Sequence, residues 1–576
     1  MPRIRRREPR VEPLPGLHPV VARVMAARGI TDAAELDPSL AGLLPPGLVD
    51  LEPAVERLAS ALAAGERILV VGDFDADGAT STALAVRVLR AFGHAHVDYL
   101  VPNRFEYGYG LTPELVELAA TREPGLIVTV DNGVSSHEGV TAAAARGIDT
   151  LVTDHHLPGT DLPAAVAVVN PNRADCDFPS KALAGVGVVF YLLVALRAHL
   201  DADGWFARQG RAAPSLAEFL DLVALGTVAD LVPLDRNNRI LVEQGLRRIR
   251  AGRACAGIRA LLQAAKREPA RTCSGDLGFA VAPRLNAAGR LADMALGIET
   301  LLAETPDAAA LAADRLDALN RERRDIEAEM REQADAELER LRAALDTEAL
   351  PAGVALHDAR WHQGVIGILA GRVREAIHRP TIIFADAGGG YLKGSARSIP
   401  GLHMRDVLAH VDTRHPELIT RFGGHAMAAG LTLPVEHLES FREAYQESVH
   451  EMLDGSTPTR EIFTDGALDA ASINLETAEA LRAAGPWGAG FPEPAFDGTF
   501  RVNEFRTVGE HHLKLSVTPE AGRGRFDAIA FRADAALRRD PGERVQLVYR
   551  LDVNEYRGRR SVQLVVEHIE RLDNAG

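Results

Sequence analysis

The sequence predicts an α/β protein: a parallel sheet covered by helices, a long connector helix, a second α/β domain and a C-terminal OB-like β-barrel. Three observations predict it. Short apolar runs alternate with helix-length periodic segments from about 51 to 235, the pattern of a parallel sheet buried on both faces. A charged, Ala-rich stretch with a discontinuous apolar stripe follows, from about Thr305 to Leu345. Near the end of the chain, two runs of alternating apolar and polar residues flank a Gly-containing turn.

The elements follow in order. Residues 1–50 read as an extension with a short helical piece. Its start, MPRIRRREPRVEPLPG, is basic and Pro-rich with no apolar h-region behind it, which argues against a secretory signal. ILVVGD (68–73), HVDYLVP (96–102), GLIVTVD (125–131), DTLVTD (149–154) and AVAVVNP (165–171) are apolar strands. GATSTALAVRVLRAFG (78–93) has helical periodicity and a Gly stop, and HEGVTAAAARG (137–147) is a second helix between strands. The stripe of the charged segment keeps heptads poorly, so it reads as a connector helix rather than a coiled coil. Strands near GVALH (353–357) and TIIFAD (381–386) mark a return to mixed α/β structure. VQLVYRLDVNEY (545–556) and SVQLVVEHI (561–569) read as a hairpin within a small barrel. The chain divides into an extension (1–50), a first α/β domain (51–303), the connector (304–346), a second α/β domain (347–455) and the barrel (456–576).

Composition narrows the function classes. The chain has 576 residues, 47% of them apolar, and a formal net charge of −16. That charge excludes a protein that coats nucleic acid by bulk basicity, but it suits clustered carboxylates around metal ions. Cys176, Cys255 and Cys273 are far apart and form no CxxC pair, as expected of free thiols in a reducing cytoplasm. No window reaches the ~18 uninterrupted apolar residues of a membrane helix. The expectation is a soluble, cytoplasmic chain without a membrane partner.

Chemistry-bearing residues stand where α/β sheets place ligands, at the C-terminal ends of the predicted strands. The first strand ends in Asp73-Phe74-Asp75-Ala76-Asp77-Gly78. Three acids within five residues repel one another, and divalent cations bound by oxygen ligands offset that repulsion. The plainer alternative is an Asp-rich turn with an N-cap. The third strand ends in Asp131-Asn132-Gly133, which alone is an ordinary Asx turn. The fourth ends in Asp154-His155-His156; beyond a strand both histidines can turn to one site, and neutral imidazole favours Mn²⁺ or Zn²⁺ over Mg²⁺. Asp230, in GTVADLVPL, ends another apolar stretch and alone reads as a cap. Together, five or six carboxylates and one or two imidazoles can hold two metal ions for in-line attack of water on phosphorus. The sequence has neither a GxxxxGK[ST] loop nor a convincing GxGxxG after a strand, which argues against a nucleotide-driven motor or a dinucleotide site.

These segments resemble the ordered motifs of the DHH phosphoesterase superfamily. The likeness extends to Val101-Pro102-Asn103-Arg104, Gly108-Tyr109-Gly110-Leu111, Val169-Asn170-Pro171 and Ala229-Asp230-Leu231-Val232-Pro233. PRLNAAGRL (283–291) and Gly394-Ser395-Ala396-Arg397-Ser398 look like the RecJ-type branch, and Gly423-Gly424-His425 like the DHH-associated domain. The resemblance covers roughly 45–576. It departs at Phe74, where many relatives carry Tyr.

The resemblance implies a processive 5′→3′ exonuclease that degrades single-stranded DNA to 5′-mononucleotides in recombination and repair, using Mn²⁺ or Mg²⁺. Asp73, Asp75, Asp77, Asp131, His155 and Asp230 would surround two ions. Asp73, Asp75, Asp131 and His156 would be catalytic. The division of the first three acids between ligation and water activation stays open, as does whether His156 contacts the scissile phosphate or steadies the metal shell. Arg104, Arg284, Arg290, Ser395, Arg397, Gly423, Gly424 and His425 would bind substrate, with phosphate donors on one wall of a cleft and metals on the other. Implied partners are single-stranded DNA, single-strand-binding protein and a recombination helicase, the enzyme itself being a monomer. Shorter DHH phosphodiesterases for short RNA or cyclic dinucleotides generally lack the terminal barrel, and DHH-like scaffolds lose metal ligands that this chain keeps.

Overall fold

The computed structural model describes residues 2–102, 109–344, 351–456, 460–508, 512–531, 541–556 and 558–572. The first domain is built on β1 (Ile68–Gly72), β2 (Val97–Leu100), β3 (Leu126–Val130), β4 (Asp149–Thr153) and β5 (Ala167–Val169). All pair in parallel, in the order β2-β1-β3-β4-β5. Every residue of β1 and β3 is buried, which is why both read as uninterrupted apolar runs rather than alternating ones. The chain passes from β1 outward to β2 and then crosses back to β3 on the other side of β1. That reversal is the topological switch point, where an open α/β sheet leaves a crevice beyond its strand ends.

One face of the sheet packs Leu69, Val71, Leu100 and Ile127 against Leu115, Val116 and Val140. Against the other lie α1 (Ala76–Ala91) and α2 (Gly185–Ala202), which pack on each other, with α3 (Leu220–Ala229) packed on both. The α2 segment has the length and mean hydropathy to cross a membrane, but most of it is buried in this core. Arg197 and His199 interrupt its apolar run near the C-terminal end.

The connector is one helix, α4 (Pro306–Ala344). The following α/β region holds β6 (Val354–His357), β7 (Thr381–Gly388), β8 (Tyr391–Arg397), β9 (Arg421–Gly424) and β10 (Ala428–Pro434) in the order β9-β10-β8-β7-β6. Only β6 and β7 are parallel. A core of Phe384, Leu392, Leu431, Phe441 and Tyr445 lies on one face.

The last region closes a five-stranded barrel from β11 (Phe496–Val508), β12 (His512–Pro519), β13 (Phe526–Ala530), β14 (Arg544–Tyr556) and β15 (Arg559–Arg571). The predicted hairpin is the β14–β15 pair, running from Val545↔Arg571 to Tyr556↔Arg559 with one register shift between Val548 and Tyr549. The parallel contact of β13 with β15 closes the ring, as in an OB-fold. The N-terminal extension is not a free arm: Arg28 pairs with buried Asp465 at 2.7 Å, and Arg7 N–H donates to the Thr464 carbonyl.

Candidate metal centre

Strand register builds the site. Gly72 lies opposite Val130, Val130 opposite Thr153 and Thr153 opposite Val169. The next residue of each strand is therefore level with the others: Asp73, Asp131, Asp154 and Asn170. The ladder continues one step, with Asp131 N–H donating to Thr153 O and Asp154 N–H to Val169 O. Asn132 Nδ2 ties the ends of β1 and β3 by donating to the carbonyls of Val71 and Val130.

The three acids after β1 diverge in use. Asp73 is buried beside the strand end and accepts from Phe74 N–H. Asp75 caps α1, accepting from Gly78 N–H at 3.0 Å, so the plainer N-cap reading describes this residue too. Asp77 is buried in the first turn of α1. Its two oxygens accept from Gly185 N–H (2.7 Å) and Val186 N–H (3.0 Å) at the N-terminus of α2, where a helix favours negative charge. Asp131 sits in the left-handed region at φ 62°, a conformation tolerated best by Gly, Asn and Asp. Asp230 is the C-cap of α3, not a strand end.

Three overlapping groups present ligand atoms within 4.8 Å of one another: Asp73, Asp75 and Asp131; Asp77, His155 and Asp230; and Asp131, His155 and His156. His155 Nε2 stands 3.2 Å from Asp131 Oδ1 and 3.5 Å from Asp230 Oδ2. Asp131 Oδ1 is buried and, among the described residues, accepts no hydrogen bond.

The electrostatics favour cations. Burial, then Asp75, pushes Asp77 up to about 7. Burial, then Asp77, Asp75 and their neighbours, holds Asp131 and Asp230 well above the usual carboxylate range. Acids that suppress one another's ionisation are what a divalent cation relieves. A donor set of hard carboxylates with an imidazole suits Mn²⁺, and the carboxylates alone suit Mg²⁺.

Asp154 does different work, which the sequence reading left unassigned. Its Oδ1 accepts from His155 N–H, His156 N–H and His156 Nδ1 (2.7 Å), and its Oδ2 from Val134 N–H. Burial, the largest single influence, would raise this carboxyl, but the His156 hydrogen bond and charge together with the Val134 and His156 amides outweigh it and hold Asp154 below its ordinary range. Burial likewise lowers His156, and the Asp154 bond and charge, with the charges of Asp73 and Asp230, overcome this and lift it to about 9. Tyr109 Oη lies 3.2 Å from His156 Nδ1. The signal for Asp154 was present, an acid immediately before two histidines, but spacing does not tell a ligand from an orienting group.

The proposed substrate contacts fall in several places. Arg104 lies outside the described residues. Arg284 donates to Asp317 Oδ1 at 2.9 Å and to the Ala280 carbonyl, so its charge is balanced locally. Arg290 donates to Gly364 O. Ser395 and Arg397 share a face of β8, with Arg397 Nη1 donating to Ser395 Oγ at 3.2 Å. Among the described residues no carboxylate pairs with Arg397, and burial followed by Arg374 lowers its pKa. Register places Gly423 opposite Gly430 and Gly430 opposite Ser395, so these lie in one row. A Cβ at Gly424, where φ is +143°, would meet the Ala429 backbone at 2.4 Å. His425 N–H closes that turn onto Ala428 O.

Comparisons with known proteins agree with this architecture. Residues 67–227 match the DHH family N-terminal domain, 349–451 the DHHA1 domain and 464–568 the RecJ OB domain. The chain is 56% identical over 569 residues to a protein of Dickeya dadantii described as single-stranded-DNA-specific exonuclease RecJ, covering 98% of both chains. It is similar in structure to RecJ of Thermus thermophilus in complex with Mn²⁺ (TM-score 0.77, 30% identity, 97% of this chain and 76% of that one). The Mg²⁺ complex of the same protein gives a TM-score of 0.72 at 29% identity, over 97% of this chain and 75% of that one.

Proposed function

The chain belongs to the RecJ family of single-stranded-DNA-specific exonucleases, and from that premise we propose that the acids and histidines beyond β1, β3 and β4 hold two divalent ions and hydrolyse the terminal phosphodiester. The enzyme is metal-dependent, with Mn²⁺ or Mg²⁺ as cofactor. The observation that carries the assignment of residues is Asp131, which belongs to two of the three ligand groups and whose buried Oδ1 accepts no hydrogen bond among the described residues.

Asp73, Asp75 and Asp131 would hold one ion, and Asp77, His155 and Asp230 the other. When bound, such ions supply Lewis acidity that activates water and offsets charge on the phosphoryl oxygens. The chain's own groups do the rest. Asp77 is steadied by the two amides of α2, so its oxygens keep their direction. His156, held charged by Asp154 at neutral pH, faces the cluster as a cation for a non-bridging phosphate oxygen. Ser395 and Arg397 would grip a terminal phosphate, which favours a phosphorylated end.

The polarity, 5′→3′ with release of mononucleotides, rests on family resemblance, as do work in recombination and repair and association with single-strand-binding protein and a helicase. The enzyme works as a monomer in the cytoplasm, where its three cysteines stay free. The test uses end-labelled single and double strands, with and without Mn²⁺. Wild type should shorten only the single strand and only with metal, and Asp131→Ala should lose the activity. Retained activity in Asp131→Ala would dismiss the assignment of this site.

A further inference from the structure

Two large apolar side chains stand in solvent on segments that meet at the Asp230 end of α3. Phe279 is 84% exposed and Leu231 68% exposed. Leu231 directly follows Asp230 and takes φ 61°, a left-handed backbone that is an outlier for a bulky residue. Strain of this kind gathers at functional sites.

Phe279 lies on a π-helical turn, Leu277–Val281, another feature common at functional sites. Leu277, Ala280 and Val281 of that turn are buried, and Phe279 alone points a large side chain outward. The two residues share one anchor, Val228 of α3. Leu231 N–H donates to the Val228 carbonyl, and a Cβ at Gly278 would lie 3.2 Å from Val228 Cγ1. The helix that continues from the π turn is locked to the metal-bearing loop: Asn286 Oδ1 accepts from Ala76 N–H at 2.8 Å, and a Cβ at Gly289 would fall 1.9 Å from Phe74 O.

An exonuclease that ignores sequence must hold each new end through a feature every base offers. The apolar face of the base ring is such a feature. We propose that Phe279 and Leu231 form a platform on which a nucleobase of single-stranded DNA rests beside the phosphate being cleaved. The proposal depends on the metal centre being the nuclease site.

The test measures affinity by fluorescence anisotropy of a labelled single strand, with Ca²⁺ replacing Mn²⁺, alongside thermal unfolding. Phe279→Ala should weaken binding by about five- to a hundred-fold, the range of base–aromatic stacking, with an unchanged unfolding midpoint. Phe279→Trp should restore binding. Leu231→Ala, which keeps the backbone strain but removes apolar surface, should weaken binding in the same direction. On a strand whose terminal four nucleotides are abasic, wild type and Phe279→Ala should bind alike. Wild-type affinity in Phe279→Ala, or an equal loss on the abasic strand, overturns the proposal. Failure of wild type to digest a single strand with Mn²⁺ would instead sink the nuclease reading.

Discussion

Replacing Gly185 by Ala should disable the metal centre without replacing a ligand. Gly185 opens α2, and its own amide donates to Asp77. A Cβ there would lie 2.5 Å from Asp131 Oδ1, 2.6 Å from Asp131 Cβ and 2.7 Å from Cγ. All three are closer than real Cβ atoms approach their neighbours. Asp131 cannot yield freely, being buried with its backbone already at φ 62°. Relief therefore requires a shift of roughly 0.5–1 Å in Asp131, in the start of α2, or in both, and overpacking of this kind costs about 1–3 kcal/mol. A misplacement of ~1 Å in a catalytic constellation costs about a hundred-fold in rate. Gly187→Ala is the matched control. Its Cβ would meet only the end of the Leu183 side chain, at 3.1 Å, and Leu183 can adjust. The assay is the initial rate of nucleotide release at saturating Mn²⁺, with a Mn²⁺ titration. Gly185→Ala should lose about a hundred-fold in kcat and need more Mn²⁺, while Gly187→Ala stays within a few-fold of wild type. A Gly185→Ala enzyme with wild-type kcat and Mn²⁺ midpoint would refute the packing argument.

Three other predictions follow from the site. Asp154→Asn places an amide among four N–H donors, at a cost of about 1–3 kcal/mol, and His156 should titrate below its wild-type value of about 9. The raised imidazole pKa stabilises the fold fully below its unfolded value near 6.5 and ceases to as pH rises through about 9; histidine NMR titration of metal-free protein checks both statements, and an unmoved His156 would contradict them. Because Asp77 titrates near 7 and Asp131 and Asp230 are held well above the usual carboxylate range before metal binds, Mn²⁺ must displace protons: calorimetry at about pH 6 in buffers of different ionisation enthalpy should show net release and weaker affinity than at about pH 8, and release of none would count against this ligand set. Arg397→Ala should slow digestion of phosphorylated ends more than hydroxyl ends, and equal losses on both would remove Arg397 from the terminal-phosphate role.

The sequence by itself determined the strand-end acids. Apolar runs that stop at Asp73, Asp131 and Asp154 name the edge of a buried parallel sheet, because hydrophobic periodicity and turn chemistry are local properties. It also determined the connector and the β14–β15 hairpin, whose patterns extend over a dozen residues or more. Tertiary structure decided what each acid does. Asp77 faces the amides of α2, more than a hundred residues onward, Asp154 serves His156, and Asp230 arrives from a helix end. It also paired Arg284 with Asp317 and left Phe279 in solvent. These outcomes depend on register between distant strands and on how closely two helices approach, and neither quantity is written in the spacing of residues along one segment.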